Sequence, residues 1–500
     1  MARDNTGQYL LADVMKTERF DAIFAVPGRP LTKTEEALAE EGLLRWIGHE
    51  AVAVQEALGV AAAGGKSAAM MKQVGLHAAL DMVAISALVR TGGAMVIVVG
   101  DDPGSVWSDT EGDSRVLSRF CEVPCFEPAG PEDLVQSMSD AVALSAQLHT
   151  AVVLRMTTPM LMGRETELYG TSRTVGMQLK PFDPTSSFTT NSLGRRKRLH
   201  ADLFALSDDG TTARRRAGDG SIRVIACGEP AIAAEIAGNV DLLVVRRVNP
   251  APQEKIAEFL AEGGPVLVLK NGQPHLEDVA RGLAPKSVEI LGCYTNHVPW
   301  AGNFEAADSL AAVASGKTVP AEPAVFFDWD DNVDRSVYGS LIDDVVKLGL
   351  APASSDAGMA AGAGYIKGNP APLCYGWGSP IGVAAGYAKL TGKPAVAVAG
   401  DGGMWHSGVV GMIQAVRDQS PVIICVGDDG AHTYTGGQPN PGSDAGLGQQ
   451  RLILTDMARG LGIRHIEVVK AKNAKSDVLR PILQRFAALK EPSLLVIEKR

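Results

Sequence analysis

Five hundred residues are enough for about three domains of ordinary size, each with its own buried core. With 46% hydrophobic and 21% charged residues, the composition is that of folded globular domains and not of a disordered chain. A net charge of −10 excludes a general nucleic-acid binder and a protein held on an acidic membrane surface.

The N-terminal stretch MARDNTGQYLLADVMK has neither the apolar centre nor the cleavage site of a signal peptide. The amphipathic helix TGQYLLADVMKTERF follows, then the strand DAIFAV, a break at Pro27-Gly28, and the helix GHEAVAVQEALGVAAAGG ending at glycines. SAAMMKQVG and AMVIVVGDDPG read as strands with loops at their carboxyl ends, the first loop carrying VGLH, and AVVLRM (151–156) closes a first α/β domain, residues 1–165. Residues 166–220 are poor in pattern and read as a connector, and Arg195-Arg196-Lys197-Arg198 and Arg214-Arg215-Arg216 as its solvated surface. The strands RVIACG, DLLVVRRV and PVLVLKNG mark a small α/β domain, 221–320. The helix GVAAGYAKLTG, the strand PAVAVAG, the helix HSGVVGMIQAVRDQ and the strands PVIICVG and SLLVIE make a third unit, 321–500, similar in pattern to the first. The expected fold class is therefore α/β, with three doubly wound parallel-sheet domains. The longest apolar runs, such as AMVIVV, are strand-sized, so no membrane insertion is expected. The cysteines at 121, 125, 227, 293, 374 and 425 are scattered, with no paired spacing for a metal, and read as free thiols of a cytoplasmic protein.

The chemistry concentrates in PAVAVAGDGGMWHSGVVGMIQAV. A buried strand runs into Gly400-Asp401-Gly402-Gly403 and then into a helix. Ligands of open α/β sheets sit at the carboxyl ends of strands, and a glycine-rich helix start offers free N–H groups to a phosphate. An Asp beside those groups can bind a hard cation that the phosphates share. The next strand, PVIICV, delivers Gly427-Asp428-Asp429-Gly430 to the same sheet edge. A lone Gly-Asp-Gly is usually a turn. The sequence strand, GDG, helix, strand, DD, loop is far more specific.

This arrangement resembles the signature of the thiamine diphosphate (ThDP) enzymes, which usually ends in two asparagines. The resemblance implies Mg2+ held by the side chains of Asp401 and Asp429 and the backbone carbonyl of Ala431. Asp at both 428 and 429 departs from the pattern and adds negative charge beside a diphosphate. The first domain resembles the family's pyrimidine-binding (PYR) domain, the third its diphosphate-binding (PP) domain, and the small domain the C-terminal domain of transketolase. By that resemblance Glu50 is the carboxylate that hydrogen-bonds the aminopyrimidine ring. Taken alone, it reads as an ordinary acid favoured at a helix start. His406, after GDG, and His77 are candidate catalytic groups, although lone histidines are more often structural. Gly400, Gly402, Gly403, Gly436, Gly437 and Gln438 are expected to shape the cofactor pocket, Gly378 to lie near the aminopyrimidine, and Ile381 to support the bent cofactor.

The segments MMKQVGLHAALDM (70–82), VIVVGDDPG (96–104), DSRVLSRFCEVPCFEP (113–128), GDGGMWHSGVVGMIQAV (400–416) and TGGQPNPG (435–442) are similar to the 2-oxoacid:acceptor oxidoreductases, in particular to the alpha chains of indolepyruvate:ferredoxin oxidoreductases. That likeness covers most of the chain. It implies oxidative decarboxylation of an aryl or branched 2-oxo acid, with electrons passing to iron–sulfur clusters and the acyl group to coenzyme A. It also implies a homodimer or larger assembly with a second, smaller subunit and an electron-transfer partner. Two departures stand out. There is no cysteine-rich motif of the family's ferredoxin-like domain, so no iron–sulfur cluster is expected in this chain. The segment AVFFDWDDNVDRSVYG has no cysteine where the family tends to carry one. The alternative is a non-oxidative ThDP-dependent 2-oxoacid decarboxylase or carboligase. A cofactor-binding subunit without activity is disfavoured by Glu50, Asp401 and TGGQ.

Overall fold

The computed structural model describes residues 6–89, 91–106, 108, 111–163, 188–206, 212–218, 222–302, 304–319, 337–350, 353–356, 373–443 and 450–499. The chain divides into two compact units, residues 1–323 and 324–500.

In the first unit, the apolar run at 94–99 becomes the centre of a sheet. Strands β1 (Ala22–Ala25), β2 (Leu44–Trp46), β3 (Lys66–Lys72), β4 (Ala94–Asp101), β5 (Cys125–Phe126) and β6 (Ala151–Thr157) pair in parallel, in the order β5-β6-β4-β3-β1-β2. Every residue of β4 and β6 is buried, as expected of strands covered on both faces. A second sheet is built from β7 (Ala213–Arg216), β8 (Ile222–Ala226), β9 (Val240–Val245), β11 (Val266–Leu269) and β12 (Ile290–Leu291), ordered β12-β11-β8-β9-β7. The departure from an all-parallel plan lies at two edges. β7 runs antiparallel to β9, and β10 (Arg247–Asn249) crosses from the second region to pair antiparallel with β5 of the first sheet.

Two local expectations are corrected. The stretch read as a connector carries the helix Phe188–Phe204 and the strand β7. Its basic clusters lie at the surface, and several of their side chains meet acids: Arg196 meets Glu122, as does the nearby His200, Arg214 meets Glu235, and Arg215 meets Asp241 and Glu262. An edge strand of three arginines also discourages edge-to-edge pairing. The strand SAAMMKQVG ends at Lys72, and VGLH lies in the helix Gln73–Ser86, not in a loop. The sequence QVGLHAALDMVAIS has no breaker after its glycine, so the helix begins as soon as the sheet edge is reached.

A buried ion network fastens the first sheet to the loops of the second. Arg155, in β6, pairs with Asp101 of β4 (2.6 Å) and with Glu127. Arg115 pairs with Asp113 through two nitrogens and with Glu127 at 3.3 Å, while Gln273 N–H donates to Asp113 at 2.9 Å. Burial would raise the Asp113 carboxyl, but Arg115 and Arg155 hold it well below the usual carboxylate range.

The second unit has one sheet, all parallel: β13 (Ser354–Ser355), β14 (Leu373–Cys374), β15 (Ala395–Gly400), β16 (Val422–Asp428), β17 (His465–Lys470) and β18 (Ser493–Glu498), in the order β14-β13-β15-β16-β18-β17. Alternate residues serve opposite cores. Val396 and Val398 pack with Leu341, Leu483 and Phe486 of the helices on one face. Ala395 and Ala397 pack with Ala384, Met412 and Ala458 of those on the other. The sheet is doubly wound, and α/β is the fold class of the whole chain. Gly400 stands opposite Gly427 in the β15–β16 register, so the loops following the two strands leave the sheet at the same level.

Candidate functional site

In the second unit, Asp401 opens a helix that runs without interruption from a first turn at Asp401–Gly403 through a π-helical segment, Met404–Gly408, to Val409–Arg417. π-Helical insertions are frequent at functional sites. Asp401 is buried, at 3% exposure. Its Oδ1 accepts from Gly402 N–H (2.9 Å), and its Oδ2 accepts from Gly430 N–H (2.9 Å) and Asn440 Nδ2 (2.8 Å). The loop after β16 is thus hydrogen-bonded to the carboxylate after β15. Burial, then the nearby Asp429 and Asp428 carboxylates, push Asp401 up to about 7 against the Asn440 and Gly430 hydrogen bonds. Asp401, Asp428 and Asp429 lie close enough for their charges to act on one another, and oxygen-only side chains of this kind suit a hard divalent cation.

Asp429 is half-buried. Its Oδ2 accepts from the Thr433 hydroxyl (2.6 Å) and faces Lys499 Nζ at 3.4 Å. Lys499 therefore offsets the extra charge that set this loop apart from the family pattern. An ion pair this accessible contributes at most about 1 kcal/mol. We expect Asp429→Asn to change Mg2+-dependent ThDP affinity by less than about fivefold, because the amide keeps an oxygen ligand and loses only that pair. Calorimetric titration of the two proteins checks this, and a loss of binding would remove Asp429 from the donor set as an interchangeable ligand.

Gly402 and Gly403 are enclosed. A Cβ at 402 would lie 2.7 Å from His432 Nδ1, and one at 403 would overlap Asp356 Oδ2. Asp356, after β13, is buried and accepts from Gly400 N–H at 3.3 Å; burial pushes its carboxyl well above the ordinary range. His406 lies in the π segment, half-buried, stacked on Trp377 with ring centroids 4.6 Å apart. Trp377 also meets His432 at 5.3 Å. Gly378 packs against Ser407 and the backbone of the same helix. Ile381 is fully buried in the core beneath it, against Gly411, and so supports the helix from inside. Gln438 closes the turn containing Gly436 and Gly437: its carbonyl accepts from His432 N–H at 2.8 Å, and its side chain bonds Thr435.

Sequence reasoning missed Asp356, Trp377, His432 and Asn440. Asn440 was detectable as the one carboxamide between two prolines in TGGQPNPG, a segment from which only Gly436, Gly437 and Gln438 were taken as pocket residues. Asp356 was not, because SSDAG carries no motif by itself. The cysteine-free segment 324–339 falls largely outside the described residues.

In the first unit, Glu50 is the first residue of the helix Glu50–Ala62, which follows β2. His49 caps that helix, its Nδ1 accepting from Ala51 N–H at 3.1 Å. Glu50 is 4% exposed and faces Gly75 of the helix Gln73–Ser86. His77 lies two residues further along this helix, near Gly112; partial desolvation keeps its pKa below the ordinary value.

Residues 357–497 match the family model described as thiamine pyrophosphate enzyme, C-terminal TPP binding domain. The indolepyruvate oxidoreductase subunit IorA of Archaeoglobus fulgidus is 24% identical over 93% of this chain and 81% of its own length. That of Methanothermobacter marburgensis is 25% identical over 87% and 76%. Among solved structures, a 2-oxoglutarate:ferredoxin oxidoreductase from Magnetococcus marinus aligns with a TM-score of 0.44 and 13% identity over 57% of this chain and 61% of its own. No helix among the described residues is long and apolar enough to cross a membrane. The carboxylate-bearing loops of β15 and β16 thus lie inside a matched TPP-binding domain, and the chain is similar along nearly its whole length to subunits of indolepyruvate oxidoreductases.

Proposed function

We propose that this chain is the ThDP- and Mg2+-dependent catalytic subunit of an oxidoreductase that decarboxylates an aryl or branched 2-oxo acid and passes electrons and the acyl group to partners. The observation that carries the reading is the Asp401 carboxylate tied to the 428–431 loop, an oxygen donor set at the ends of two adjacent parallel strands. Asp401, Asp429 and the Ala431 carbonyl hold the metal, and the start of the helix that Asp401 opens is turned toward the diphosphate. Bound ThDP supplies a carbon nucleophile and an electron sink. Glu50 holds the proton shared with the aminopyrimidine ring, in a buried position that keeps water away from it. His406, set by its stack on Trp377, is the candidate for orienting the substrate.

Electrons leave through a partner. The cysteines are scattered at 121, 125, 227, 293, 374 and 425, with no spacing of a cluster motif. The working enzyme is at least a homodimer, joined by a smaller subunit and located in the cytoplasm. The test is incubation of the purified, iron-analysed chain with a panel of 2-oxo acids, scoring CO2, aldehyde and acceptor reduction separately. The expected result is about one CO2 per site, with acceptor reduction only after an iron–sulfur or flavin partner is added. Rapid steady-state aldehyde formation by the chain alone would move the assignment to a non-oxidative decarboxylase. Stoichiometric iron would overturn the proposed route of the electrons.

A further inference from the structure

The helix Gln73–Ser86 starts at the carboxyl end of β3 and lays its first turn across the side chain of Glu50. A Cβ built on Gly75 lies 2.7 Å from Glu50 Cγ, 2.7 Å from Oε1 and 3.0 Å from Cδ. Ordinary non-bonded carbon contacts are about 3.5–4.0 Å, so no side chain fits here while Glu50 keeps its position. The backbone does not ask for glycine at 75. The residue is inside a helix and is not among those with positive φ. Alanine is the better helix former, so by local preference this position should not be glycine. The facing helix offers a contrast: a Cβ at Gly59 would meet nothing within 4 Å. The close approach thus belongs to Gly75 and the Glu50 carboxylate, and not to glycines of this helix pair in general.

We infer that Gly75 is a positioning residue, the side-chain-free seat against which the Glu50 carboxylate is held. The inference rests on Glu50 being the aminopyrimidine partner. The cap from His49 fixes where the Glu50 backbone enters its helix, and the bare backbone at Gly75 leaves room for the side chain in the placement seen. A methyl at 75 meets the flexible arm of a glutamate, not a backbone. The easy response is rotation of that arm, which leaves the fold standing and moves the carboxylate away from its place.

The experiment compares Gly75→Ala, Gly59→Ala and Glu50→Gln in the full chain. It measures the thermal midpoint without cofactor, Mg2+-dependent ThDP affinity, exchange of the thiamine C2 proton, and the circular dichroism of the bound aminopyrimidine. Gly75→Ala is expected to keep its thermal midpoint, or raise it, and to keep ThDP affinity within about threefold. Its C2 exchange should slow at least about tenfold, and the circular dichroism should shift toward that of Glu50→Gln. Gly59→Ala should leave exchange and spectrum unchanged. If Gly75→Ala matches wild type in exchange and spectrum while Glu50→Gln loses both, the positioning role is overturned. It is equally overturned if Gly75→Ala lowers the thermal midpoint and loses ThDP binding, since the glycine then serves packing alone. If Glu50→Gln itself exchanges at the wild-type rate, it is the reading of Glu50 that fails.

Discussion

Glu50→Gln is expected to bind ThDP with nearly normal affinity and to exchange the thiamine C2 proton roughly 10²–10⁴-fold more slowly, the usual contribution of a positioned acid–base group. The side chain is 4% exposed at the first position of a helix whose start is already capped by His49. The amide has the same size and adds no buried charge, so the helix, its cap and the contact with Gly75 persist. What it cannot do is share a proton with a ring nitrogen. A carboxylate can, and in a buried position its hydrogen bond to the ring is not weakened by competing water. Deuterium exchange at C2, followed by NMR on the holoprotein, reads this step before any substrate is present. Exchange at the wild-type rate would remove Glu50 from the mechanism. The role proposed for Asp401 and its loop would stand, since they belong to a separate element and are assigned to a different end of the cofactor.

The strands were legible because burial on both faces writes itself as apolar runs. AMVIVV became β4 and VIICVG became β16, and the strand-to-helix turn at 400–403 was readable from glycines placed at the end of such a run. Two things escaped. Antiparallel edges such as β7 and β10 depend on where a chain returns, and a short polar strand like ARRR looks the same in sequence as a loop. Residues that act through distant pairing were equally hidden. The DSRVLSRFCEVPCFEP segment was recognisable as a family marker, but its physical content, Asp113, Arg115 and Glu127 joined to Arg155, needs partners from β4, β6 and the loop at 271–273. The site follows the same division. Asp401 and Glu50 sit in motifs that name them. Asp356 and Trp377 become significant only when the sheet brings β13 and the turn at 376–379 against Gly403.

Asp401→Ala is expected to cost at least about 10²-fold in Mg2+-dependent ThDP affinity, more than the 10–100-fold typical of losing a residue that merely supports a metal ligand. The carboxylate does two jobs. It is the most buried of the three acids at the strand ends, and it accepts hydrogen bonds from Gly402 N–H, Gly430 N–H and Asn440 Nδ2. Truncation therefore removes a proposed metal ligand and also releases the β16 loop, which carries Asp429 and Ala431. The two effects separate with Asn440→Ala. That variant leaves the Asp401 ligand atoms in place and removes one of their three supports, so a fall of about 10–100-fold is expected, with Mg2+ dependence retained. Calorimetry with and without EDTA distinguishes the cases: Asp401→Ala should show the same weak binding in both, whereas Asn440→Ala should still respond to the chelator. ThDP affinity in Asp401→Ala that equals wild type, or wild-type binding indifferent to EDTA, would mean that the acids at the ends of β15 and β16 hold no metal and that the diphosphate is bound elsewhere in the chain.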